Sequence, residues 1–206
     1  MRNLLLAATL SFLALLPQSQ QPDISKIAAK DSHQNFVVAG DPCTDAARIK
    51  QVFDKIDPSK AGLLSVDVYF QNNTEYPVHV ELTTIRLDVD GPHNQRFHLP
   101  SLSLKEAATE IAHPNGPSAP HPSRLPPIIS GGDRKERDAE NVLQPLMIQS
   151  DVVPPGKTIH GFVFFDMNHQ FDLVPYSSVY VPDVQSIASS DPMIYFEVPL
   201  GPHHPD

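Results

Sequence analysis

Ten histidines are spread through a chain of 206 residues, and imidazole beside carboxylate is a donor set that suits zinc, copper or nickel. His113 and His121 lie in a proline-rich stretch. His203 and His204 stand in a Gly-Pro-His-His-Pro-Asp tail, and His93 and His98 flank a predicted hairpin. His113, His121, His203 and His204 are therefore the candidate metal ligands. Their spacing supplies neither two histidines four apart on one helix face nor a His-Glu-x-x-His motif, so no preorganised ligand set is visible. Solvated loop histidines are the expectation, with no metal and no cofactor.

The other reactive groups read in the same way. The stretch from Asp88 through Asp90 and Gly91 to Asn94 has some oxygen ligands of a calcium loop, but it lacks the distal glutamate and is expected to be a β-turn. Cys43, the single cysteine, stands near a predicted helix start, where a thiol can be acidified, yet no base is paired with it in sequence. Asp166, Asp172 and Glu197 would form a carboxylate pair only if the fold gathered them. Asn72-Asn73-Thr74 matches a glycosylation acceptor, although turn chemistry suffices to explain it. The chain has no Gly-x-Ser-x-Gly elbow and no phosphate-cradling loop, so no catalytic residue is assigned.

The elements that would position these groups follow from hydrophobic period. Phe36, Val37, Val38 and Ala39 suit a short strand. Asp41 followed by Pro42 has the form of a helix start, and Ile49, Val52, Phe53 and Ile56 fall on one helical stripe. From Leu64 the period becomes two, with Leu64, Val66, Val68 and Phe70 on one face, then Val78, Val80 and Leu82. The phase slips by one residue before Ile85, Leu87 and Val89, which predicts a bulge or break at Thr83-Thr84.

Residues 100–141 interrupt the pattern. Ser103 and Glu106 form a capping box for a short helix. The proline-dense stretch and charged run that follow predict a long, partly disordered surface excursion. Strand signals resume at Leu146, Met147 and Ile148, then at 158–166. There both faces are apolar, predicting a central strand, and Gly161 predicts close approach of another backbone. Val179, Val181 and Val184 are interrupted by Pro182, which predicts a sheet edge, and Ile194, Phe196 and Val198 close the series. Short strands, turn signals and brief helices together predict an antiparallel sandwich.

Composition bounds the function. The formal charge of −9 with no basic run excludes an electrostatic nucleic-acid partner, and one cysteine excludes an internal disulfide framework. Arg2 followed by the apolar run 4–16 and a polar Pro-Gln-Ser-Gln stretch has the layout of a secretory signal peptide. A helix over that run would be about 20 Å long, short of the ~30 Å slab of a bilayer. Export to a periplasmic or extracellular setting is expected, with no stable membrane span after cleavage.

The stretches 66–78 (VDVYFQNNTEYPV) and 153–166 (VPPGKTIHGFVFFD) resemble the immunoglobulin-like domains of secreted bacterial proteins of unknown function. The resemblance implies an Ig-like fold and carries over no catalytic residue. The paired cysteines and core tryptophan of antibody domains are absent. The expectation is a mainly β protein, an Ig-like antiparallel β-sandwich with a short N-terminal helix and a long Pro-rich loop carrying a second short helix. Its parts are a signal peptide (1–20), a loose leader (21–35), the sandwich (36–200, with the excursion at 100–141) and a histidine-containing tail (201–206). The expected function is a non-catalytic interaction or structural role beside an envelope protein partner, through residues 179–184 or the excursion. A periplasmic transition-metal binder and a hydrolase with an unrecognised site are the alternatives.

Overall fold

The computed structural model describes residues 23–92, 95–114, 134–188, 193 and 195–202. The expected signal peptide and His121, His203 and His204 lie outside the described residues, as do His93 and Asn94. Among those described, no helix is long and apolar enough to cross a membrane.

The protein is mainly β, with antiparallel sheets and few helices, consistent with a β-sandwich. The first sheet contains β1 (Lys30–His33), β2 (Phe36–Pro42), β3 (Leu63–Asn72) and β8 (Thr158–Asp166), in that order. The second is β10 (Val184–Ser186), β4 (Val78–Val80) and β7 (Val152–Val153). The third is β11 (Phe196–Pro199), β9 (Ser177–Val181), β5 (Arg86–Gly91) and β6 (Gln95–Pro100). Among the described residues, three α-helices complete the fold: α1 (Ala46–Phe53), α2 (Leu104–Ala112) and α3 (Arg134–Leu143).

Two apolar clusters explain the layering. The alternate residues Val66, Val68 and Phe70 of β3 and Val163 and Phe165 of β8 meet Val80, Leu87, Val179 and Phe196 from the other sheets. On the reverse side, Leu63, Phe162 and Phe164 pack with Ile49 and Phe53 of α1, Ala107 and Ala108 of α2, and Ala139 and Leu143 of α3. The double-faced apolarity of β8 thus records a sheet on one side and helices on the other, because successive side chains point to opposite faces. Each fully buried Leu, Ile or Phe adds roughly 1.5–3 kcal/mol.

Several local expectations hold. The one-residue phase slip is a 3-10 turn, Leu82–Thr84, between β4 and β5. The capping box starts α2, with Ser103 Oγ accepting from the Glu106 N–H and Glu106 Oε2 accepting from the Ser103 N–H at 2.8 Å. The Asn72 turn is built as expected, and it overturns the glycosylation reading. Asn72 is fully buried, and its Nδ2 donates to the carbonyls of Tyr76 and Val153, so no amide hydrogen is left for a glycan.

Other expectations are corrected. Residues 30–33 of the expected loose leader form β1, folded onto β2 through Gln34 and Asn35, both at positive φ as a tight hairpin requires. Asp41 and Pro42 end β2 rather than start a helix; the cap of α1 is Asp45, whose Oδ1 accepts from the Arg48 N–H at 2.9 Å. The charged run is α3, because Ala139 and Leu143 lie one turn apart and reach the buried cluster while the charges face outward. Residues 146–148 supply a single parallel bridge, Met147 to Phe162, rather than a strand.

The two sheet positions are reversed. β8 ends its sheet, and its outer edge is covered by bonds from Phe162 N–H to Leu146 O (2.8 Å) and from Leu102 N–H to Phe164 O (2.9 Å). β9 is interior, paired with β11 and β5, and Pro182 lies where the chain leaves it for β10 in another sheet. A missing N–H costs nothing at that crossing. Strand addition along 179–184 is therefore closed off over β9.

Candidate functional site

The helical layer covers only part of the outer face of the first sheet. Where it ends, antiparallel register sets Ala39, Tyr69 and His160 side by side, with Asp41 and Asp67 one pair further along. Asp41 and Asp67 are like charges on neighbouring strands, an arrangement that destabilises unless offset. Arg48 of α1 offsets it, with Nη1 at 2.8 Å from Asp41 Oδ2. The charge on α1 and its apolar stripe thus seat the helix together.

Asp67 is buried and uses both oxygens. Its Oδ2 accepts from the Tyr69 hydroxyl at 2.6 Å, and its Oδ1 lies 3.0 Å from His160 Nδ1. A carboxylate only accepts, so Nδ1 carries the hydrogen and Nε2 is presented outward from a ring about half exposed, at 47%. The imidazole also stacks on Tyr69, with centroids 4.8 Å apart and planes within 5°. Burial, then the bond to Asp67, holds the Tyr69 phenol far above its ordinary range.

An imidazole oriented by a buried carboxylate is half of a hydrolytic triad. Among the described residues no hydroxyl or thiol hydrogen-bonds to His160 as a nucleophile would. Cys43 does not supply one. The thiol is buried, the Cys43 N–H bonds the Ser65 carbonyl at 2.8 Å, and burial pushes the thiol pKa up. Thiol-reactive dye should label Cys43 of the native protein at least ~100-fold more slowly than in denaturant, since only the thiolate reacts and access requires opening. Fast labelling without denaturant would contradict this placement.

Tyr69 gives a second expectation. A phenol raised in the folded state contributes stability that is complete below its unfolded pKa, near ~10, and is lost as pH rises through the folded value. Wild type and Tyr69→Phe should therefore show equal phenolate absorbance at about pH 11 while folded. A surplus of one phenolate in wild type would show that the Asp67 bond is not formed.

The other sequence candidates are dispersed. His113 lies 3.5 Å from Glu136, joining the end of α2 to α3. His98 Nδ1 lies 2.7 Å from Asp88, and His79 Nε2 lies 3.4 Å from Asp151. Each pair offers two donors where a tetrahedral site takes four. Among the described residues, no group of three His, Cys, Asp or Glu could hold a metal ion. Asp88 is engaged by Arg86 as well, so the calcium-loop reading gives way to a β5–β6 hairpin. Asp166 caps the Asn168 N–H, while Glu197 lies on β11 of another sheet.

A surface that sequence reasoning missed lies on the outer face of the third sheet. Register places Glu197, Tyr180 and Arg86 in one row across β11, β9 and β5. The Arg86 guanidinium sits 4.1 Å above the Tyr180 ring, and Tyr180 meets the half-exposed Tyr195 at 5.1 Å. Arg86 Nε bonds Asp88 Oδ1 at 2.7 Å, and Arg96 Nε bonds Asp90 at 2.8 Å. The alternation of Arg86, Asp88 and Asp90 with Leu87 and Val89 was the available signal.

Comparison with known proteins finds no matching family model and no matching curated protein. Among solved structures, the chain is similar to a functionally unknown protein from Listeria monocytogenes, with 13% identity and a TM-score of 0.39 over 84% of this chain and 82% of that one.

Proposed function

We propose that this protein is an exported, non-catalytic Ig-like module that binds an envelope protein partner through the Arg86–Tyr180–Tyr195 face. The observation that carries this reading is the exposed Tyr195 ring packed on the partly buried Tyr180, over which Asp88 holds the Arg86 guanidinium. Tyr and Arg are the side chains that most often anchor protein interfaces, because they combine apolar area with hydrogen bonding. The apolar run at residues 4–16 supports export, and the antiparallel layers support the Ig-like reading.

Fractionation of cells producing the full chain tests export: the mature protein should appear outside the cytoplasm, shortened at its N-terminus. Crosslinking in the native envelope, run in parallel with a Tyr180→Ser/Tyr195→Ser variant, tests the face. A partner captured by the wild type and lost from the folded variant supports it. Equal capture by both, or none above background, rejects it.

A further inference from the structure

Three departures from regular structure converge on one place. The 3-10 turn after β4 contributes Leu82 and Thr83, the capping-box start of α2 contributes Leu102 and Glu106, and the chain crossing β8 at Gly161 contributes Met147 and Ile148. Together with Phe162 of β8 they enclose a cleft of about 330 Å³. Ligand sites in proteins span about 300–1,000 Å³, mostly apolar with a few polar groups at fixed points. Two polar groups of the β8 backbone edge are already spent on the bonds to Leu146 and Leu102, so this wall is dry. The Ser101 hydroxyl and the Glu106 carboxylate supply the polar points, while the Thr83 and Ser103 hydroxyls already donate to Glu81 and Glu106.

We infer that this cleft binds a compact small molecule with an aryl or branched-alkyl body and a neutral or cationic polar end. Glu106 is the one charged residue among the described residues lining it, and a like charge in the ligand would be repelled there. The cleft shares no residue with the Tyr180 face, so each stands or falls alone.

The test is a fluorescence titration of the full chain with N-phenyl-1-naphthylamine, a neutral diaryl probe, and with its anionic relative 1-anilinonaphthalene-8-sulfonate. The neutral probe should bind saturably at one site, and more tightly than the anionic one. Thr83→Trp and Ser101→Trp, each placed to fill the rim, should weaken it at least ~10-fold while the urea midpoint is kept. Glu106→Gln retains a capping-box side chain and should tighten the anionic probe about threefold. Three results would each overturn the inference: no saturable binding, binding that survives a folded rim variant, or a preference that Glu106→Gln leaves unmoved. Occupancy of the cleft by a second copy of the chain would appear as the first of these.

Discussion

Gly161→Ala is expected to cost about 3 kcal/mol of folding stability, a large effect for one methyl group. A Cβ at this position would stand 2.5 Å from the Ile148 nitrogen, 2.7 Å from the Met147 carbonyl carbon and 2.8 Å from the Ile148 Cα. All three are backbone atoms, so no side-chain rotation relieves the contact. Either β8 withdraws from β3, or the 147–148 crossing lifts and loses the bond from Phe162 N–H to Leu146 O. Urea unfolding should show a lowered midpoint with little change in slope. Gly156→Ala is the natural contrast. Its φ of +66° strains an alanine, but nothing lies within 4 Å of the added carbon, so a loss of only about 1 kcal/mol is expected. A Gly161 variant no worse than the Gly156 variant would show that the crossing has room to give.

Removing the Asn72 amide should be comparably damaging. Its Nδ2 donates to Tyr76 O at 2.7 Å and Val153 O at 2.9 Å, while its Oδ1 accepts from the Thr74 N–H at 2.9 Å and the Thr74 hydroxyl at 2.7 Å. One buried side chain thus closes the turn after β3 and ties it to β7. Asn72→Ala removes the Asn72 partner of the Val153 carbonyl and the Thr74 N–H and leaves the Tyr76 carbonyl only the Thr74 hydroxyl, an expected loss of about 3 kcal/mol. Asn72→Asp separates charge from shape. An ionised carboxylate there would face two carbonyl oxygens in a buried site, which raises its pKa in the folded state. A carboxyl raised on folding leaves the variant least damaged below its unfolded pKa of about 3.9, with the deficit growing as pH rises toward neutrality. Stability measured from acid to neutral pH should show that growing gap relative to wild type. A gap independent of pH would place the side chain in water rather than in the interior.

Both positions were visible as local signals, an Asn-rich turn and a glycine within an apolar strand. The carboxylate that organises Tyr69 and His160 was not. Asp67 occupies an alternate position in β3 that reads as solvent-facing, and His160 lies far along the chain in β8. Only the β3–β8 register, pairing Tyr69 with His160, brings the three together. The strand β1 was hidden for a related reason. Its residues Lys30, Asp31, Ser32 and His33 have little apolar character, and its bonds to β2, with Asp31 Oδ2 accepting from the Glu197 N–H at 2.9 Å, come from partners that composition does not reveal.

By itself the sequence determined the apolar inner face of β3 and both faces of β8, where the phase must slip, and the turn at Asn72. These depend on steric periods of two and 3.6 residues that operate within a few neighbours. Tertiary structure alone decided which strands pair. It made β9 interior despite Pro182, left β8 at an edge, and turned a charged run into α3 through two buried contacts. Backbone hydrogen bonds across a sheet are chemically alike at every residue, so partner choice is settled by how the apolar faces close over one another.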